Sequence, residues 1–92
     1  MSDRADEDAR GLEPLPALGE AIRSLRTRAG LSQEELAGQA ELKAAALTAI
    51  EAGSEEPRWG DLRRIAYALQ TPLERLLEVA EELERGSSED AR

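Results

Sequence analysis

Apolar residues recur along residues 17–85 at spacings of three and four, the period of an amphipathic helix. No alternation of apolar and polar positions long enough for a strand interrupts them. Glycine, proline and polar residues break the pattern at short intervals, so the segments between the breaks are short. The pattern predicts five helices in a compact all-α domain, over residues 17–29, 33–39, 43–52, 58–69 and 72–85.

Local signals define where these helices begin and end. Ser32 and Glu35 have the spacing of a capping box, in which each side chain bonds the backbone N–H of the other residue. A second box is predicted where Thr71 precedes the fifth helix. Gly30 and Gly53 stand where the first and third helices stop, as expected for residues that adopt a left-handed C-cap without steric cost.

The two ends of the chain differ from the middle. Residues 1–16 and 86–92 are polar and charged, and glycine or proline punctuates the first of these segments. We predict both segments to be disordered tails around a domain of residues 17–85. Within the domain, the core is predicted to be aliphatic, with Trp59 packed in it or half-buried at the start of the fourth helix.

Composition narrows the function classes. The 92 residues include no Cys and no His, which removes disulfides, thiolate metal sites and the commonest acid–base group. With no nucleophile and base in a recognisable arrangement, we expect a protein that is not an enzyme and that has no cofactor. No segment is apolar enough for a membrane span or a signal peptide, so the expected location is the cytoplasm.

The net charge of −8 argues against a nucleic-acid partner until its distribution is considered. Residues 17–71 contain 8 acidic and 7 basic side chains, so the middle of the chain is nearly neutral. The acidity lies in the tails and in the last helix. A nucleic-acid partner therefore stays open for the central helices, although no strongly basic field favours it.

A specific combination of motifs lies between the second and fourth helices: LSQEELA at residues 31–37, IEAG at residues 50–53, then Pro57 and IAYAL at residues 65–69. This combination resembles the Xre/Cro-type helix-turn-helix of phage and bacterial repressors, over about residues 18–77. The resemblance implies a five-helix phage-repressor-like domain in which the third helix enters the major groove of double-stranded DNA.

The resemblance also implies roles for single residues. Arg26 and Glu51 match positions that form an internal ion pair in the family. Gln33 matches a glutamine that reaches a DNA phosphate beside a helix N-terminus, where the unpaired amides favour an anion. Arg58 matches a position near the DNA backbone or the minor groove, and Lys43 is within reach of a phosphate. The alternative for each is an ordinary solvated side chain, and the same holds for Arg23, Arg28, Arg63 and Arg64, which would add peripheral charge.

The third helix departs from the family at the positions that usually read bases. Those positions hold Ala44, Ala45 and Ala49, and Thr48 is the single polar residue between Lys43 and Glu51. Alanine offers no hydrogen bond to a base edge and contacts only a thymine methyl group. In addition, Glu41 replaces the family's usual glycine in the preceding turn. We therefore expect weak direct base readout.

The fifth helix continues beyond Leu77, where the family's helix usually ends. Val79, Ala80 and Leu83 extend its apolar stripe, and we expect them to form a homodimer interface; the alternative is an amphipathic tail. The predicted function is a dimeric DNA-binding transcription regulator. The alternative is a helix-turn-helix scaffold used as a protein-interaction module of antitoxin-like or regulatory type, with a protein partner and little DNA binding.

Overall fold

The structure is a computed structural model that describes residues 17–90, with side chains as far as Gly86. The described residues form five helices and no strand: α1 (Leu18–Arg28), α2 (Gln33–Gln39), α3 (Ala44–Ala52), α4 (Trp59–Ala68) and α5 (Leu73–Asp90). The predicted all-α fold of five helices is therefore confirmed. The predicted disorder of residues 1–16 and 91–92 lies outside the described residues.

Helix boundaries follow the local signals over the first four helices. The Ser32 hydroxyl accepts a bond from the Glu35 amide at 3.0 Å, and the Ser32 amide donates to the Glu35 carboxylate at 2.8 Å. The predicted capping box at α2 is thus confirmed. Gly30 and Gly53 have φ of 75° and 81°, the left-handed conformation that glycine adopts without a Cβ penalty. Each lies just beyond a helix and lets the chain reverse.

The fifth helix departs from the prediction at both ends. The Thr71 hydroxyl donates to the carbonyl of Leu69 at 3.1 Å and makes no hydrogen bond with Glu74, so the predicted capping box does not form; α5 begins at Leu73. At its other end the helix continues to Asp90, beyond the predicted end at residue 85. Propagating an existing helix fixes one residue for each new hydrogen bond, which favours continuation past Gly86.

One apolar core joins all five helices. Helix α1 packs against α3 and α5, α2 packs against α3 and α4, and α4 packs against α5. The largest fully buried side chains are Ile22, Leu36, Leu47, Ile65 and Leu76, one from each helix. Since each helix contributes one large aliphatic group to the same cluster, no pair of helices can be displaced without opening the core.

The apolar stripe of α5, on which the sequence predicts a homodimer interface, is covered mostly within the single chain. Val79 is 9% exposed and Ala80 is 0% exposed, and both belong to the core of the single chain, against which Leu83 also packs in part. The reason is that α5 lies along α1, so its extended apolar stripe covers α1. Sequence periodicity identifies an apolar face but does not say whether the same chain covers it.

Two aromatic side chains lie at the surface instead. Trp59 is 47% exposed and Tyr67 is 86% exposed, so about half of Trp59 is covered at the start of α4. Residues 59, 63 and 67 are spaced by four and lie on one side of α4, with Arg63 exposed between the two rings. This exposed side of α4, formed by Trp59, Arg63 and Tyr67, is called the aromatic face below.

The backbones of α1 and α3 touch at Gly19. A methyl group built on Gly19 would overlap the carbonyl oxygen of Ile50 and lie 2.7 Å from the carbonyl oxygen of Glu51. Gly19 is buried, and the atoms in its way are backbone atoms, which cannot move aside as a flexible side chain can. Only glycine allows α1 to approach the end of α3 this closely.

We expect Gly19→Ala to reduce the free energy of unfolding by about 2 kcal/mol or more, since a backbone clash exceeds the gain of about 1 kcal/mol in helix propensity. Gly38→Ala is the matched control, because nothing lies within 4 Å of a methyl group at that helical glycine. That variant should gain about 0.5–1 kcal/mol. Urea unfolding followed by Trp59 fluorescence measures both; equal gains would contradict the close approach.

Candidate nucleic-acid interface

The turn between α2 and α3 sets the angle between these two helices. The Leu42 amide donates to the carbonyl of Ala37 at 2.8 Å and so closes the end of α2. Glu41 has φ of 59°, a left-handed conformation that costs a non-glycine residue roughly 1 kcal/mol or more. The Glu41 side chain is exposed and places a negative charge two residues before Lys43.

A second support for this turn comes from Arg64 on α4. Its Nε donates to the carbonyl oxygen of Ala40 at 2.9 Å, and its Nη2 donates to Asp61 at 2.6 Å. Arg64 therefore satisfies a carbonyl at the end of α2, where a cation also complements the helix dipole. The sequence alone assigned it to peripheral charge and gave no signal for this contact, which spans 24 residues.

Arg26 and Glu51 form a two-point ion pair between α1 and α3. Arg26 Nε donates to Glu51 Oε2 at 2.7 Å and Nη2 donates to Oε1 at 3.1 Å, with side chains 14% and 3% exposed. The hydrogen bond to Glu51 raises the pKa of Arg26 above its usual value, outweighing the opposing effect of burial. Arg26 Nη1 also donates to the carbonyl of Leu31 at 2.8 Å, so one side chain joins α1, α3 and the loop before α2.

Gln33 extends this pair to the surface. Its Nε2 donates to Glu51 Oε1 at 2.8 Å, and its Oε1 accepts a bond from the Thr48 hydroxyl at 3.0 Å. Four side chains from three helices therefore form one connected network, called the Glu51 network below: Arg26, Gln33, Thr48 and Glu51. The sequence predicted the ion pair from the family but missed the links to Gln33 and Thr48.

The outward side of α3 carries almost no polar group. Ala44, Ala45 and Thr48 are exposed and Ala49 is partly buried, while Leu47 and Ile50 on the opposite side enter the core. The Thr48 hydroxyl also lies 3.0 Å from the carbonyl oxygen of Ala44, so its hydrogen is bonded within the protein. The structure thus brings the predicted base-facing residues onto one surface.

Two exposed cations stand at the starts of α3 and α4. Lys43 occupies the cap position of α3 and Arg58 that of α4, and neither helix has a side-chain cap. The first amides of a helix lack partners within it and carry partial positive charge. A cation at a helix start is repelled by these partly positive amides, and a bound anion would remove this repulsion.

Two further properties concern the described residues alone. Among residues 17–86, whose side chains the structure describes, no group of acidic side chains is arranged to hold a metal ion. Within residues 17–90, no helix has the length and apolarity needed to cross a membrane.

The chain is similar to known proteins over most of its described length. A family model for a helix-turn-helix domain matches residues 17–79. The restriction-modification controller protein C.AhdI from Aeromonas hydrophila is 32% identical, with 67% of this chain and 94% of that chain covered and a TM-score of 0.65. No curated protein matches the chain.

A second kind of regulator has the same fold. One structure of the clp gene regulator ClgR from Corynebacterium glutamicum is 30% identical, covering 76% of this chain and 94% of that chain with a TM-score of 0.70. Another structure of ClgR is 28% identical, covering 84% of each chain with a TM-score of 0.75.

The Glu51 network should dominate the stability of this region. Arg26→Met leaves the Glu51 carboxylate buried without its cation, which should cost about 3 kcal/mol. Adding Glu51→Leu should restore much of the loss, because a buried pair replaced by apolar groups is often close to neutral. Urea unfolding of both single variants and the double variant gives the coupling energy.

Arg75→Met is the control for this cycle. Arg75 lies 3.4 Å from Glu78 in an exposed pair with side chains 48% and 60% exposed, and the loss of such a pair costs at most about 1 kcal/mol. Strictly additive losses from Arg26→Met and Glu51→Leu would show that the ion pair does not couple α1 to α3.

Proposed function

Because the chain belongs to the helix-turn-helix family of DNA-binding transcription regulators, we propose that it binds duplex DNA chiefly through the phosphate backbone, with α3 in the major groove. The observation that carries this proposal is the pair of exposed cations at the uncapped starts of α3 and α4. A phosphate beside Lys43 or Arg58 would complement both the side chain and the partial charge of the helix. A bound phosphate would therefore offset the repulsion between each cation and the positive end of its helix.

Gln33 is the third proposed backbone contact. One hydrogen of its amide goes to Glu51, and an amide group has two to donate. The second hydrogen is available for a phosphate oxygen, with the side chain already held by the Glu51 network. Ala44, Ala45, Thr48 and Ala49 then face the bases. Phosphate contacts fix the register of a protein on DNA without reading its sequence, so this division supports weak base readout.

The nearly neutral charge of the central helices supports a modest affinity for DNA. Residues 17–71 carry 8 acidic and 7 basic side chains, so only a few cations act locally at the interface. Affinity that depends on ionic contacts falls with salt in proportion to their number, so a few contacts give a shallow salt dependence. We propose a binding and not a catalytic role, exercised in the bacterial cytoplasm beside the chromosome.

A homodimer is the second part of the proposal. Two copies can place two α3 helices in successive major grooves, roughly one helical turn apart. Since Val79 and Ala80 are buried in the chain's own core, the aromatic face of α4 is the surface that we propose for the contact between copies. Exposed Trp, Tyr and Arg are the residue types enriched where proteins bind each other.

The same aromatic face favours the alternative function. A protein-interaction module of antitoxin-like or regulatory type would use Trp59 and Tyr67 to bind a different protein, with α3 playing little part. The two functions differ in a simple respect, since only the first requires an interaction with DNA that depends on Lys43 and Arg58.

Salt titration tests the DNA contacts. We expect binding to a random-sequence duplex to weaken with salt, and Lys43→Ala and Arg58→Ala each to reduce the slope of log K against log salt concentration by about 1. Arg75→Ala on α5 is the control and should leave the slope unchanged. Fluorescence anisotropy of a labelled duplex gives the slopes. If neither variant changes the slope, the proposed backbone contacts are wrong.

Sedimentation equilibrium tests the contact between copies. We expect a dimer at micromolar concentration, converted to a monomer by Trp59→Ala with Tyr67→Ala, because these rings supply the exposed apolar area of α4. Interference optics are needed, since the variant loses the only Trp and the only Tyr of the chain. Leu83→Ala is the matched control on α5 and should remain dimeric. A wild type that is monomeric at all concentrations would overturn the dimer.

A further inference from the structure

The hydroxyl of Thr48 is the feature from which the base preference of α3 can be argued. Thr48 is the one polar residue between Lys43 and Glu51, and so the one candidate there for a hydrogen bond to a base. Its hydroxyl lies 3.0 Å from Gln33 Oε1 and 3.0 Å from the carbonyl oxygen of Ala44. A hydroxyl has a single hydrogen, and both acceptors within its reach belong to the protein.

The Gln33 acceptor is itself held in place. Gln33 Nε2 donates to Glu51 Oε1 at 2.8 Å, and Glu51 is fixed by two bonds from Arg26. Turning the Thr48 hydroxyl toward a base would therefore remove a bond from a network anchored in a nearly buried ion pair. The network keeps the hydroxyl hydrogen on the protein, so Thr48 offers a base its methyl group and an oxygen that can only accept.

We infer that α3 selects DNA by the 5-methyl groups of pyrimidines, recognising thymine and 5-methylcytosine alike. The inference rests on the proposed function and concerns the base preference of that same interface. The methyl groups of Ala44, Ala45 and Thr48 are exposed on one side of α3. The thymine methyl group stands in the major groove, where apolar side chains contact it, and 5-methylcytosine carries the same group at the same ring position.

The expected preference is modest and measurable. Burying one methyl-sized group contributes about 0.8 kcal/mol, which corresponds to about a fourfold change in affinity for each methyl group contacted. Hydrogen-bond readout would distinguish bases that carry identical methyl groups. Methyl readout predicts instead that adding or removing this one group changes affinity while every hydrogen-bonding edge stays the same.

The experiment compares duplexes that differ only in the 5-methyl group. An alternating adenine–thymine duplex is measured against its adenine–deoxyuridine counterpart, and an alternating guanine–cytosine duplex against its 5-methylcytosine counterpart, at one salt concentration. We expect the methylated duplex of each pair to bind the wild type about fourfold more tightly or better. Equal affinities within both pairs would overturn the inference.

Two substitutions at one position separate the methyl group from the hydroxyl. Thr48→Val keeps the methyl group of Thr48 and replaces the hydroxyl with a second methyl group. It should retain the affinity ratio between thymine and deoxyuridine duplexes, whatever its overall affinity. Thr48→Ser keeps the hydroxyl and loses the methyl group, so its ratio should fall toward unity. The reverse pattern would show that the methyl group of Thr48 does not produce the ratio, and it would overturn the inference; circular dichroism checks that both variants fold.

The outcome also distinguishes this inference from the proposed function. If the wild type binds thymine and deoxyuridine duplexes equally and with a salt slope, backbone binding stands and methyl readout is wrong. If it binds none of the four duplexes at low salt, the proposed function itself is wrong.

Discussion

The carboxylate of Glu51 is the point at which three helices are fixed relative to one another. It lies at the end of α3 with 3% of its side chain exposed, and it accepts two bonds from Arg26 and one from Gln33. A buried carboxylate is stable only when its charge and lone pairs are satisfied. The orientation of α3 is therefore tied to the positions of α1 and α2 through directional bonds, which apolar packing by itself does not supply.

Packing and geometry reinforce the same junction. The glycine at position 19 lets the backbone of α1 reach the carbonyls of residues 50 and 51, so the ion pair forms across helices that already touch. On the other side, Arg64 caps α2 and holds the turn before α3. The core is built from modest aliphatic groups, with no Phe in the chain and the one Trp half-exposed. Specific polar contacts therefore fix the relative positions of α1, α2 and α3, which the small apolar core alone does not determine.

Local features of the fold could be predicted from the sequence, whereas pairing between distant residues could not. The capping box at Ser32 and the glycine stop at Gly53 depend on neighbours within a few residues, and both appear as expected. The apolar stripe through Val79 was visible, but its partner was not, because periodicity says nothing about which surface covers a face. The resemblance supplied Arg26 and Glu51 as a pair, yet the bond from Gln33 joins residues 18 apart, and no sequence spacing indicates it.

The same network that stabilises the junction determines what α3 offers to a partner. A threonine whose hydroxyl is free can donate to a base, but here Gln33 and the carbonyl of Ala44 occupy that hydrogen. The hydrogen-bonding side chains of the region hold α3 in place, and the outward side of α3 exposes mainly Ala44, Ala45 and Thr48, with Lys43 at its start. Such a surface is suited to binding in which charge sets position on the phosphate backbone and shape sets a mild preference among bases. An architecture this firmly held loses little conformational entropy on binding, which partly offsets the small number of ionic contacts.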